Sequence, residues 1–292
     1  MHALTLIAFV GSVFSPYYAW ARRRLGDAAA APEAHCALNL SLYRRPAGAK
    51  RYQRLWAMTE RGTGQVQRSA TQLRIGASRL AWGAGGDLLI DVDEWTAPWP
   101  QRLRGRIHLQ TGALPGRAFA LDAAGRHHWQ PISPGARVAL DFEAPQLRWQ
   151  GDAYMDANHG TRPLERDFDS WQWSRSALGD GCSRVLYDVR GADGHERALA
   201  LRFAADGDIS ALPLAPRQAL PDTAWGIARG SRGNRPPEVA ATLESGPFYS
   251  RSLLRDAVDG SLSVHESLSL QRFRQPWVQA LLPFRMPRWS RG

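Results

Sequence analysis

The chain has 292 residues, enough for one large or two ordinary domains with packed cores. It is 44% hydrophobic and 22% charged, which is typical of a globular protein and excludes a disordered chain. The formal net charge is +10, but all but one of the 37 basic residues are Arg and they are scattered, which argues against a dedicated nucleic-acid surface.

The first apolar run, residues 3–14, imitates a secretory signal peptide. No Lys or Arg precedes it, however, and its cationic cluster, Arg22 to Arg24, follows it. The run is also shorter than the roughly 20 residues that span a bilayer. Its Thr, Ile, Phe and Val content favours a buried strand, and a short helix is expected after it over residues 16–24.

Short runs of alternating apolar and polar residues continue along the chain, separated by clusters of Gly, Pro and Asp. Such runs are typical of β-strands. The predicted strands cover residues 36–43, 53–59, 87–95, 101–110, 136–142, 152–160, 183–189, 197–204 and 261–269. A second short helix is expected near residues 251–258. The pattern predicts an all-β barrel or sandwich, with a break between two strand-rich halves at residues 160–166.

Several familiar chemistries lack sequence support. There is no glycine-rich nucleotide fingerprint, phosphate loop, Gly-x-Ser-x-Gly elbow or His-Glu-x-x-His zinc helix. The two cysteines, Cys36 and Cys182, give neither a disulfide framework nor metal-ligand spacing, so a reducing compartment is expected. No metal site is predicted.

A polar face on the predicted strand 152–160 is the most informative pattern. Tyr154, Asp156 and Asn158 alternate with small or apolar residues and so share one face. If that face lines an enclosed space, the phenol and amide beside the carboxyl group favour a protonated acid that can donate to an apolar ligand. Alternation alone fits an ordinary half-exposed strand equally well.

Two further predicted strands carry side chains that could also line an enclosed site. His127 and Trp129 share one face of a short strand, and Trp171 and Trp173 share one face of the segment 170–176. Large aromatic side chains such as these fill cores or line long apolar ligand sites. The residues therefore indicate an acid surrounded by aromatic and hydrogen-bonding groups, if the strands face one another.

Segments throughout the chain resemble the bacterial carotenoid 1,2-hydratases, also called hydroxyneurosporene synthases. The similarity is collinear and covers essentially the whole chain. The segments are residues 1–22, 56–62, 125–131, 149–158, 163–165, 171–175, 247–251, 265–270 and 281–288.

The resemblance implies a fold of two tandem lipocalin-like (calycin-type) β-barrels, expected at residues 1–163 and 164–292. It implies addition of water to the terminal C1=C2 double bond of acyclic carotenoids such as neurosporene and lycopene, without a cofactor. The family's proposed acid falls on Asp156, its supporting tyrosine on Tyr154, and its His-x-Trp pair on His127 and Trp129. Trp171, Trp173 and Asn158 are expected to contact substrate.

The same resemblance implies a cytoplasmic enzyme that works at the surface of the inner or photosynthetic membrane, with no nucleic-acid partner. Family members carry an aromatic-rich segment before the His-Ala-Leu-Thr run, which here follows Met1 directly. The chain is therefore expected to be N-terminally shortened and to lack the first strand of its first barrel.

Other functions share some of these features. A non-catalytic isoprenoid-binding protein would have a similar cavity, but its carboxyl group would face solvent. An isoprenoid cyclase would protonate the same kind of alkene and release an isomer instead of an alcohol. A nucleic-acid-binding protein is the least supported, because the Arg residues do not cluster.

Overall fold

A computed structural model describes residues 2–27, 29–49, 51–179 and 181–289. The first strands are β1 His2–Phe9, β2 Cys36–Arg44, β3 Gln53–Arg61, β4 Val66–Arg68, β5 Gln72–Ile75, β6 Ser78–Trp82, β7 Leu88–Trp95, β8 Arg102–Gln110, β9 Phe119–Ala120, β10 His127–Ala144 and β11 Gln146–Gly160. They are followed by β12 Phe168–Ala177, β13 Ser183–Gly191, β14 Glu196–Phe203, β15 Ile209–Ala211, β16 Arg217–Leu220, β17 Arg229–Arg232, β18 Glu238–Ser245, β19 Tyr249–Arg255, β20 Leu262–Ser269 and β21 Arg288–Trp289. The helices are α1 Pro16–Leu25, α2 Leu164–Asp167, α3 Leu270–Phe273 and α4 Pro276–Arg285, with 3₁₀ turns at Pro32–His35 and Thr63–Gln65. The predicted all-β class is confirmed.

One predicted helix is confirmed and one is wrong. Helix α1 begins where Ser15 caps it by accepting a hydrogen bond from the Tyr18 N–H at 2.9 Å. The segment 251–258, by contrast, belongs mostly to β19, which lies between β18 and β20. Residues 250–254 of this inner strand are all buried, so the period-two signature of a half-exposed strand is missing.

The sheets are open, which corrects the expectation of closed barrels. Within the described residues, the seven-stranded sheet has the order β15-β14-β13-β12-β20-β19-β18, and its end strands are not paired with each other. Closure needs long end strands with a matching stagger, and β15 has only three residues. Very short edge strands also limit unwanted pairing with other chains.

The described chain forms two compact units, each made of several segments. The first contains residues 1–110, 137–151 and 279–292, and the second contains residues 111–136 and 152–278. The predicted boundary at residue 163 stays a prediction, as does the expected loss of a first strand.

The first unit contains two antiparallel arrangements. One sheet has the order β1-β2-β3, extended by the short parallel strand β21. The other runs from β4 to β8 and continues through the C-terminal part of β10. Gly105 of β8 permits the close approach of β10, because a Cβ there would lie 2.4 Å from the Cα of Phe142.

The second unit is built on the seven-stranded sheet and carries the residues of interest. Strands β12 and β13 lie at its centre, with Trp173 paired to Tyr187 in the antiparallel register. Trp173 is also paired to Glu266 of β20, so these three side chains form a row on one face. The N-terminal part of β10 and the C-terminal part of β11 belong to the same unit.

The helices of the chain are short. Among the described residues, none combines the length and apolar character needed to cross a membrane.

Candidate active site

Trp129 occupies the centre of the site. Burial alternates along the start of β10, and Trp129 on its buried face has no exposed surface. Its ring lies 5.4 Å from Phe119, 5.4 Å from Tyr187 and 6.3 Å from Phe203, measured between ring centroids. Because these aromatic contacts fix the ring, the direction of its indole N–H is fixed as well.

The indole N–H of Trp129 points at Asp156 of β11. It donates a hydrogen bond of 2.8 Å to Oδ2 of the carboxyl group. The hydroxyl of Tyr154 donates a second bond of 3.1 Å to the same oxygen. An oxygen that accepts two bonds acts as the carbonyl oxygen of the acid form, so the acidic proton belongs on Oδ1.

The surroundings of Asp156 favour its protonated form more strongly than bulk water would. Burial raises the pKa of Asp156 from 3.8 to about 6, and the negative charge of Glu266 adds to this increase. The hydrogen bonds from Trp129 and Tyr154 act in the opposite direction, because they stabilise the carboxylate. At pH 7 a pKa of about 6 leaves roughly one carboxyl group in ten protonated.

Two tyrosines in the site remain phenols at neutral pH. Burial, together with the charge of Asp156, raises the pKa of Tyr154 well above its usual value of 10. The same causes, in the same order, raise the pKa of Tyr187. The Tyr187 hydroxyl donates a hydrogen bond of 3.1 Å to the side-chain oxygen of Asn158, which orients that amide near the end of β11. The hydroxyl groups of Tyr154 and Tyr187 therefore both act as hydrogen-bond donors.

The two tryptophans of β12 lie on the face of the sheet that carries Tyr187. Trp173 is tilted against the ring of Tyr154 at 5.5 Å, and Trp171 contacts the Tyr187 ring edge to face at 5.7 Å. The Nε1 atom of Trp173 is buried and has no hydrogen-bond partner among the described residues. A buried donor of this kind costs about 1–3 kcal/mol unless it finds an acceptor.

His127 shares the buried face of β10 with Trp129, as predicted, but contacts a different carboxyl group. Its Nε2 is 2.8 Å from Oδ2 of Asp167, and its ring packs edge-on against Phe168 at 4.9 Å. Gly160 makes room for the ring, because a Cβ there would lie 2.4 Å from Nδ1. The described contacts of His127 do not include Asp156, so its catalytic role stays a prediction.

The structure thus brings together most of the predicted residues: Asp156, Tyr154, Trp129, Trp173, Trp171 and Asn158. Sequence reasoning missed Tyr187 and Glu266, which lie on strands predicted correctly but with unknown pairing partners. It also missed Asp167, the partner of His127.

The side chains near the acid do not form a metal site. Among the described residues, no group of three His, Cys, Asp or Glu side chains is placed to hold a metal ion. What the arrangement offers is a proton donor of moderate pKa, phenol donors and aromatic faces, which suits acid catalysis on an apolar molecule.

Because the pKa of Asp156 is raised, we expect the difference in unfolding free energy between Asp156→Asn and wild type to grow with pH. The unfolded chain releases this proton near pH 3.8 and the folded chain near pH 6, so wild-type stability falls as pH rises through that window. Asp156→Asn keeps an oxygen acceptor for both donors and has no proton to release. We expect urea denaturation to show the variant more stable at pH 8 by up to about 3 kcal/mol.

The control for this experiment is Asp141→Asn, whose carboxyl group is 57% exposed. The difference in unfolding free energy between Asp141→Asn and wild type should stay small from pH 4 to pH 8. A stability difference for Asp156→Asn that does not change over this range would contradict the raised pKa.

Comparisons with known proteins identify relatives over nearly the whole chain. A family model described as carotenoid hydratase CrtC matches residues 6–292. The acyclic carotenoid 1,2-hydratase of Thiocapsa roseopersicina is 49% identical over 98% of this chain and 69% of that protein. The enzyme of the same name from Rubrivivax gelatinosus is 45% identical over 98% of this chain and 70% of that protein.

A solved structure supports the fold. It is a putative AttH from Nitrosomonas europaea, with a TM-score of 0.57 and 14% identity, and the match covers 80% of each chain. At that identity the likeness shows the fold alone. From the family match and the relatives together, this chain belongs to the carotenoid hydratase family.

Proposed function

We propose that this chain adds water across the terminal C1=C2 double bond of an acyclic carotenoid such as neurosporene or lycopene. The observation that carries the proposal is the Asp156 carboxyl group, whose pKa is raised to about 6 and which lies beside Trp129 and Tyr154. Membership of the carotenoid hydratase family supplies the substrate class.

The first step is protonation of the alkene. The Asp156 O–H bond breaks, the proton binds C2, and the electron pair of the double bond forms the new C–H bond. A tertiary cation remains at C1. An apolar substrate that displaces water from the carboxyl group raises the pKa of Asp156 further, which increases the protonated fraction at the moment of reaction.

The second step is capture of the cation by water. The oxygen of water bonds to C1 and then loses a proton, which gives a tertiary alcohol. The faces of aromatic rings such as Trp173 and Trp171 stabilise a nearby cation by about 2 kcal/mol when water is absent. The overall reaction moves no electrons to or from the substrate, so its chemistry requires no redox cofactor.

The binding-only alternative makes a different demand on Asp156. A protein that only binds an isoprenoid has no use for a carboxyl group that is held in place and kept partly protonated, whereas acid catalysis requires one. The contacts from Trp129 and Tyr154 therefore favour catalysis over simple binding.

Product analysis tests the proposal. Wild-type protein incubated with lycopene should yield a product heavier by one water, whereas Asp156→Asn should lose at least about 100-fold in rate. The control Asp141→Asn changes an exposed carboxylate and should keep full activity. An isomer without added mass would indicate a cyclase, and unchanged turnover in Asp156→Asn would overturn its assignment as the acid.

We also propose that the protein works at a membrane surface in the cytoplasm. Helix α1 and the part of α4 from residue 279 onward, both in the first unit, expose large apolar side chains: Trp20 is 55% exposed, Leu25 59%, Leu281 41% and Phe284 79%. Arg23, Arg24 and Arg285 are exposed on the same two helices. Apolar residues flanked by arginine suit a helix that lies in the interface of an anionic bilayer.

Vesicle flotation tests the membrane proposal. Wild-type protein should float with phosphatidylglycerol vesicles and less with phosphatidylcholine vesicles, because part of the attraction is electrostatic. The double variant Leu281→Gln, Phe284→Gln should lose most of this binding. Val258→Gln is the control, since Val258 is 72% exposed outside these helices. Equal binding by all three proteins would refute a role for α4.

A further inference from the structure

A second carboxylate lies beside the proposed acid. Glu266 of β20 is the cross-strand partner of Trp173, and Trp173 is in turn the partner of Tyr187. Directly paired residues on antiparallel strands have Cβ atoms about 4.5–5.5 Å apart on the same face. Glu266 therefore lies on the face that presents the aromatic residues of the site.

Arg251 pairs with Glu266 through a buried guanidinium group. The Arg251 side chain is 2% exposed, and its Nε and Nη2 lie 2.9 and 2.8 Å from Oε1 of Glu266. Its Nη1 lies 3.2 Å from Oε1 of Glu244. A buried guanidinium requires negative partners, because its lost hydration must be offset by nearby charge.

Glu266 is also within electrostatic range of the acid. Its negative charge contributes to the raised pKa of Asp156 and to that of Tyr187. Two carboxyl groups thus share one site in contrasting surroundings: Asp156 accepts hydrogen bonds from Trp129 and Tyr154, and Glu266 is paired with the buried cation of Arg251. Such a contrast separates the acid from the base in many enzymes.

The neighbouring indole supplies a donor for a water molecule. The Trp173 Nε1–H is buried without a hydrogen-bond partner among the described residues. Trp173 lies directly opposite Glu266 in the antiparallel pair of β12 and β20. Water accepts a bond from an N–H and donates one to a carboxylate. One water molecule can therefore accept a hydrogen bond from the Trp173 N–H and donate another to the Glu266 carboxylate.

We infer that Glu266 is the base that accepts a proton from the attacking water, and that the Trp173 indole N–H orients this water. The inference rests on the proposed hydration. As the water oxygen bonds to C1, one of its O–H bonds breaks and the proton passes to Glu266. The cycle closes when that proton returns to Asp156, which gave its own proton to C2. Atoms and charge then balance as alkene plus water gives alcohol.

Glu266→Gln separates the two steps of the reaction. The variant keeps Asp156, so in heavy water it should still deliver deuterium to C2, and reversal of this step should leave deuterium in recovered lycopene. Formation of the alcohol should fall by about 100-fold, the lower end for loss of a general base, because the cation is a strong electrophile. Trp173→Phe keeps a ring but removes the N–H, and should show a smaller loss of the same kind.

Glu244→Gln is the matched control, because Glu244 contacts the same arginine but is not the partner of Trp173. It should hydrate at nearly the wild-type rate. Hydration by Glu266→Gln at the wild-type rate would overturn the inference, and so would parallel loss of deuterium exchange and hydration. Absence of hydration by wild-type protein would instead refute the proposed function.

Discussion

Two hydrogen bonds converge on one oxygen of Asp156, in surroundings that disfavour its ionised form, and the chemistry of the site depends on this balance. Burial alone would raise the pKa further, whereas the donors from Trp129 and Tyr154 lower it. Hydrogen bonds to a charged group contribute about 1.5–3 kcal/mol each, comparable to the desolvation they oppose. The resulting pKa of about 6 keeps an acid available at neutral pH without making the proton too hard to release.

The sheet supplies the rigidity that this balance needs. Trp129 is fixed by Phe119, Tyr187 and Phe203, so its N–H has one direction. Tyr187 and Trp173 stand side by side because their strands are paired in register. Positions fixed by strand pairing hold catalytic groups more accurately than loops do. Burying a titratable carboxyl group lowers the stability of the folded protein. Such a loss of stability is common where residues are arranged for activity.

The sequence predicts part of this arrangement for a clear reason. Period-two alternation is local, so it places Tyr154, Asp156 and Asn158 on one face without knowledge of the fold. Strand pairing is not local, and the neighbours Tyr187 and Glu266 therefore emerge only from the structure. The same limit explains His127, which shares a face with Trp129 but contacts Asp167 forty positions away. The mistaken helix near 251–258 arose because an inner strand buried on both faces loses its alternation.

A direct titration of the Asp156 carboxyl group tests the central claim. The carboxyl carbon can be followed by ¹³C NMR in protein with labelled aspartate, and assigned by its absence in Asp156→Asn. We expect a midpoint at about pH 6, well above the usual 3.8. Binding of an unreactive apolar carotenoid analogue should raise the midpoint further. A midpoint near 3.8 that does not respond to the analogue would contradict the account, because Asp156 would then be an ordinary carboxylate.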